Sequence, residues 1–158
     1  MGERIDYLDD PQAPKANSLV PSANVIVVND QDEILLIRRT DNSNWAVPGG
    51  GMDLGESITA AAVRETEEET GIACEITGLV GIYTNPRHVI LYTSNGEARQ
   101  EFSIVFTARP VGGQLRPSSE SSEPQWVSPA AIPDLQMHSS MRQRIQHYLD
   151  KRPDPYLG

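Results

Sequence analysis

Glutamates crowd the stretch VPGGGMDLGESITAAAVRETEEETGI, Val47 to Ile72, where Glu65, Glu67, Glu68 and Glu69 stand almost side by side behind the consecutive glycines Gly49, Gly50 and Gly51. Like charges on neighbouring helical positions repel by a few tenths of a kcal/mol per pair, so such a run implies that something positive is expected there. At 100° per residue, Glu68 and Glu69 fall within about 60° of Glu65 on either side and form a carboxylate stripe. Thr59, Ala62, Val63, Thr66 and Thr70 form a small-residue packing stripe roughly 100° further round. Glu67 lies outside the carboxylate sector and is expected to be a solvated surface residue. Arg64, four residues before Glu68, is placed to hold a carboxylate through an ion pair. Hard cations such as Mg²⁺ prefer oxygen ligands, and carboxylates together with substrate phosphates are a usual way to hold them. Pro48-Gly49-Gly50-Gly51 can bring bare backbone close to a ligand, and Gly55-Glu56-Ser57 delivers another carboxylate at the start of the helix. The competing reading is a charged solvent face on an ordinary helix.

The rest of the chain has to position these groups. Its 158 residues allow one domain with a real core and are too few for two ordinary ones. Thirteen basic against 22 acidic residues give a formal net charge of -9, which argues against stable binding to nucleic-acid backbones or an anionic membrane. The single cysteine, Cys74, excludes an internal disulfide framework, and it is expected to be a small buried side chain. No run approaches a membrane span, and MGERIDYLDD lacks the basic and apolar regions of a secretory signal, so the expected location is cytoplasmic.

Residues 1–18 are polar, carry Pro11 and Pro14 and read as a loose arm or edge segment; 19–152 read as the domain and 153–158 as a tail. Ala23 to Val28 and Glu33 to Arg38 are apolar runs separated by Asn29-Asp30-Gln31-Asp32, the pattern of a hairpin. Ile58 to Thr70 reads as a helix with Ser57 as N-cap and Gly71 just past its end. Further strands are expected at Glu75 to Tyr83, Val89 to Thr93, Glu101 to Arg109 and Gln125 to Val127. Phe102, Ile104 and Phe106 alternate with Ser103, Val105 and Thr107, the period of a half-buried strand. Met137 to Lys151 reads as an amphipathic helix whose Met141, Arg144, Ile145, Tyr148 and Leu149 face the sheet. Ser118 to Glu123 reads as a short polar loop.

Taken together, Gly50, five residues, Glu56, seven residues and then Arg64-Glu65-Thr66-Glu67-Glu68-Glu69-Thr70-Gly71-Ile72 resemble the Nudix box, Gx5Ex7REUxEExGU with U a bulky apolar residue. Every charged and glycine position agrees in spacing. Thr66 departs from the pattern, standing where the family usually has an aliphatic residue; it points into the packing stripe. The wider likeness, from Ala23 to Val127, covers roughly two thirds of the chain.

The resemblance implies an α/β fold, an α/β/α sandwich with a mixed, mainly antiparallel central sheet. It also implies hydrolysis of a pyrophosphate in a nucleoside diphosphate linked to another group, with Mg²⁺ or Mn²⁺. Carried over by position, Glu65, Glu68 and Glu69 are metal ligands, with Glu69 or Glu65 also close to the attacking water. Glu56 binds a further metal or fixes the loop, Gly50 and Gly51 supply backbone at the site, and Arg64 orients glutamates. Glu101 joins the metals or acts as base in the manner of some relatives, and Glu120 or Glu123 is placed to do the same. Arg38 and Arg39 close the second strand where the family grips phosphates; the alternative is a pair of exposed strand-end arginines. Tyr83, Arg87 and Tyr92 leave room for stacking, whereas Trp45 is expected to pack. His147 is expected on the surface of the last helix, and His88 in a loop bordering the site. Family members are often dimers, so a homodimer is an expectation too.

The substrate stays open among nucleoside triphosphates, including those with a damaged base, ADP-ribose and nucleotide sugars. Pro86, fourteen residues after Ile72, comes close to a marker of ADP-ribose hydrolysis and is equally explained as a turn proline. Two other classes remain: a non-catalytic nucleotide-sensing module on the same fold, and a structural protein with an acidic surface helix.

Overall fold

A computed structural model of the chain describes residues 2–121 and 123–158. In chain order the elements are β1 (Arg4–Leu8), β2 (Ser18–Leu19), β3 (Ser22–Val27), β4 (Ile34–Arg38), β5 (Trp45–Ala46), β6 (Gly49–Gly51) and helix α1 (Ile58–Thr70). Then come β7 (Ile72–Tyr83), β8 (His88–Tyr92), β9 (Glu97–Gln100), β10 (Ser103–Gly113), β11 (Gln125–Val127), a 3₁₀ turn at Pro129–Asp134, helix α2 (Ser139–Leu149) and β12 (Tyr156–Leu157).

Among the described residues the strands make three sheets, in the orders β12-β7-β10-β3-β6, β1-β8-β9-β2 and β11-β4-β5. Parallel pairing joins β3 to β10, β7 to β12 and β2 to β9, and the other ladders are antiparallel, which gives the expected mixed, mainly antiparallel pattern. Both faces of the five-stranded sheet are covered. Ala23, Val25 and Val27 of β3 pack with Ala62 of α1, while Ile26 points the other way and packs with Ile145 of α2. This two-sided burial explains why Val105 is fully buried while Phe102 and Ile104 are only partly so, where the alternation of β10 predicts a half-buried strand: helices lie on both faces.

Helix α1 has the expected bounds. The Ser57 hydroxyl accepts the Ala60 N–H at 3.1 Å, and Gly71, at φ 83°, ends the helix in the left-handed region with its N–H donated to Glu67 O. Cys74 is buried as expected.

Several expectations are corrected. Asn29 to Asp32 does form a tight turn, but β3 and β4 do not run on as a hairpin: β3 lies between β10 and β6, and β4 between β11 and β5. Of the two readings of the N-terminal segment, the edge segment holds at Arg4–Leu8, because β1 pairs with β8 along its whole length; Met1 lies outside the described residues. The tail is tied down by β12 on β7. Glu101 precedes β10, which begins at Ser103. Of the loop from Ser118 to Glu123, Ser122 lies outside the described residues.

Candidate active site

Strand β6 lies beside the N-terminal half of β3, with Gly49 opposite Asn24 and Gly50 opposite Ala23, and α1 packs across both. This brings the glycine backbone against the carboxylate face of α1. Gly50 has no room for a side chain, since a Cβ there would stand 2.7 Å from both carboxylate oxygens of Glu65.

Arg64 ties the glutamates together. Its Nε and Nη2 donate to the two oxygens of Glu56 at 2.6 and 2.8 Å, its Nη1 donates to Glu65 at 3.0 Å and Glu68 at 3.2 Å, and Nη2 also reaches Gly51 O at 3.2 Å. Glu56 further accepts the Asp53 N–H, and these hydrogen bonds, Arg64's first, hold its carboxyl down at about 2. Of the two roles that the resemblance offers Glu56, the geometry favours fixing the loop, because Arg64 occupies both of its oxygens.

Glu69 is different. It is 4% exposed, it accepts only the Gly49 N–H, at 3.4 Å, and among the described residues no basic side chain forms an ion pair with it. Burial, then the charge of Glu65, pushes its carboxyl up to about 8, against the pull of the Gly49 N–H and of Arg39. Glu65 is also raised, first by burial and then by Glu68 and Glu120, against the Arg64 hydrogen bond. Glu120 thus stands near both, as the loop reading allows, whereas Glu123 pairs with Arg38 at 3.4 Å.

Helix phase is right for the acids and, apart from Thr59, for the packing stripe: Ala62, Thr66 and Thr70 are buried and Val63 packs on the core. Glu67 is exposed as expected, and Thr66 is fully buried with its hydroxyl donated to Ala62 O. Thr59, however, is exposed, and Ala61 and Glu69 are buried instead, because β6 covers the helix on the Glu69 side.

A cavity of about 330 Å³ opens beside Gly49–Gly51 and Glu69, between the five-stranded and four-stranded sheets. Arg39 lines it while pairing with Asp41 at 2.7 Å; Arg38 is turned toward Glu123 and does not. Trp45 both packs on the core and lines the cavity. Arg87 is not brought to this site: it is exposed, stands 3.8 Å from Asp9 and borders a separate groove with Pro86. Tyr83 is buried against His147, whose ring accepts or donates at 2.7 Å to its hydroxyl, so His147 is half-buried rather than a free surface residue.

Glu101 lines the cavity but is engaged elsewhere than with the helix acids. Arg144 Nη2 lies 3.3 Å from its carboxylate and His88 Nδ1 3.4 Å, and Ser103 donates its hydroxyl. Burial works against its charge, yet Arg144, Ser103 and His88 hold its carboxyl below the ordinary range. His88 is buried at the start of β8 and also bonds Asp6 at 3.0 Å, and the His138 ring stacks on it at 5.5 Å. Asp6, Arg4, Asn24, His138 and Arg144 are cavity residues that the sequence reading passed over. One signal was present, an arginine in the apolar stripe of α2.

A family model described as NUDIX domain matches residues 18–148. The chain belongs to the Nudix hydrolase family. It is 35% identical over 129 residues to a MutT-like protein of Streptomyces ambofaciens, covering 80% of this chain and 75% of that one. It is 32% identical over 130 residues to an RNA pyrophosphohydrolase of Novosphingobium aromaticivorans, covering 73% and 81%. A Nudix hydrolase structure from Nitrosomonas europaea superposes with a TM-score of 0.69 at 23% identity, covering 87% of this chain and 93% of that one, and shares the fold. As a member of the Nudix hydrolases the protein is an enzyme of the class that acts on nucleotide pyrophosphates. No helix among the described residues is long and apolar enough to cross a membrane.

Proposed function

We propose that the protein hydrolyses a pyrophosphate bond in a nucleoside diphosphate linked to another group, with Mg²⁺ or Mn²⁺ held by Glu65, Glu68 and Glu69. The observation that carries this reading is Glu69: with one long backbone N–H and, among the described residues, no ion-pair partner, the charged form of this buried carboxyl is costly unless a cation completes it. The donor set fits, since three glutamates of one helix face present oxygen ligands of the kind hard cations prefer. Glu101 and Glu56, already held by arginines, are not needed in the set.

When bound, the cation neutralises the pyrophosphate oxygens and lowers the pKa of the attacking water. Around it the protein's own groups have separate tasks. Arg64 fixes the rotamers of Glu65 and Glu68 and ties the Asp53–Ser57 turn to the helix through Glu56. The glycines of β6 let phosphate oxygens approach the backbone without a side chain between them. Of the Arg38-Arg39 pair it is Arg39 that lines the cavity, but its fork is held by Asp41, so a phosphate would have to draw it away from that partner. Glu65 or Glu69 holds the water that attacks and takes its proton. No serine, cysteine or histidine nucleophile is required.

A phosphate-release screen with a coupled phosphatase tests the reading. It is run with Mg²⁺ and with Mn²⁺ over nucleoside triphosphates, oxidised nucleotides, ADP-ribose, nucleotide sugars and dinucleoside polyphosphates, with Glu69→Gln as the blank. Turnover by the native chain and not by the variant supports it. Silence across the panel with Mg²⁺ still bound favours the nucleotide-sensing module.

A further inference from the structure

The cavity has a second wall, made by residues that lie ahead of the family match. Arg4 and Asp6 of β1 precede residue 18, where the NUDIX match begins, yet both line the cavity. The register explains how: Arg4 stands opposite Tyr92, Asp6 opposite Ile90, and Ile90 opposite Arg99, so these side chains share one face of the four-stranded sheet.

Each arginine of this wall is neutralised by a carboxylate. Arg4 pairs with Asp6 at 2.8 Å, Arg99 with Glu97 at 2.9 Å, and Arg144 with Glu101 at 3.3 Å. A wall built for another phosphate would present its arginine forks unpaired. Hydrogen-bonding capacity nevertheless remains. Arg4 and Arg99 each use Nε and Nη2 on their carboxylates, which leaves Nη1 without a protein partner among the described residues. Arg144 Nε is buried and unpartnered. Donors without net charge match carbonyl and hydroxyl oxygens of an uncharged group. The Arg99 guanidinium lies 4.8 Å from the Tyr92 ring centre, and Trp45 lines the same space, so flat surfaces are present as well. At about 330 Å³ the cavity is at the small end of ligand sites and suits one nucleoside unit rather than two.

We propose that Arg4 and Arg99, on the wall that β1 completes, are specificity-determining residues that bind oxygen acceptors on the nucleoside end of the substrate. The assignment rests on the hydrolase reading of this cavity, in which the phosphates lie at the glycines and the helix acids.

Calorimetric titration of the full chain, in Mg²⁺, separates the parts. The ligands are nucleoside triphosphate analogues with a methylene in place of each bridging anhydride oxygen, and inorganic tripolyphosphate. Arg4→Met combined with Asp6→Asn removes a charge pair without stranding either member, and Arg99→Met reads the same wall independently should the double variant melt early. Both are expected to bind the preferred analogue about tenfold more weakly or worse, with tripolyphosphate affinity unchanged. Undiminished affinity for the analogue in Arg99→Met and in a folded double variant overturns the assignment. An equal loss for both ligands does so too, since it would place phosphates on this wall. If the native chain binds neither ligand, this inference fails, and the phosphate-release screen decides separately whether the hydrolase reading stands.

Discussion

The Glu65 carboxylate lies against the backbone of Gly50, where a Cβ would come within 2.7 Å of each of its oxygens. A side chain at position 50 and the present place of that carboxylate are therefore mutually exclusive. Gly50 is not among the glycines with positive φ, so alanine is admissible to the backbone and the nearest conflict is with the Glu65 carboxylate. Gly50→Ala is expected to lower kcat by about 10–100-fold, the range for losing a group that places a metal ligand. The thermal midpoint should move little. Steady-state rates and a melt on the same preparation check this, and a normal kcat would show that Glu65 need not hold its present position.

Arg64 makes contacts that no ammonium can reproduce, because its fork meets Glu56 with two nitrogens while the third reaches Glu65 and Glu68. Arg64→Lys keeps the charge and loses the geometry. The expected result is a fall in kcat of about 10–100-fold, with a stability change of about 1 kcal/mol or less because the network is partly exposed to solvent. A lysine variant with native kcat would reduce Arg64 to a source of charge.

Adjacent glutamates should behave in opposite ways. Glu67 is exposed, and among the described residues its side chain has no hydrogen-bond or ion-pair partner; its backbone carbonyl accepts from the Gly71 N–H and from Arg116 Nη2. Glu68 and Glu69 lie on the Arg64 and Gly49 side. Glu67→Gln is expected to keep near-native turnover, whereas Glu68→Gln and Glu69→Gln each remove most of it. Rates of the three purified variants decide the matter; a large loss at Glu67 would mean that the functional face of the helix lies elsewhere.

These predictions rest on the part of the molecule that was legible in the sequence. Helix α1 could be read to the residue because its signals are local: a hydroxyl three residues ahead of the N–H it caps, a glycine at the left-handed stop, and 100° between successive side chains. Sheet partners are not local. The run Asn29 to Asp32 makes a tight turn whether or not its flanking strands pair, and in this fold they part into different sheets. Nor could the burial of Glu69 over Thr59 be read from the helix alone, since it depends on β6 lying across that side. The second wall was not legible as a unit for the same reason, although Glu101 had a role by resemblance and Arg144 a place in the stripe of α2. Arg4, Asp6, Glu101 and Arg144 are distant in sequence, and what joins them is the β1–β8 ladder and the docking of α2.

Asp6 gives that wall a pH signature. Burial opposes its charge, but the hydrogen bond from His88 and the Arg4 guanidinium prevail and hold its carboxyl well below the ordinary value of 3.8. A carboxyl that ionises more readily in the folded than in the unfolded chain favours folding when ionised. Its contribution is complete above the unfolded value and is lost as pH falls through and below it. The native chain should thus melt above Asp6→Asn near neutral pH. Below 3.8 the gap should close by about 1.4 kcal/mol per pH unit, the linkage slope for one proton. Denaturant melts of both proteins at about pH 7, 5 and 3 measure it. A gap that is the same at all three would mean that Asp6 ionises alike in both states, and that its contacts with Arg4 and His88 contribute through packing and not through charge.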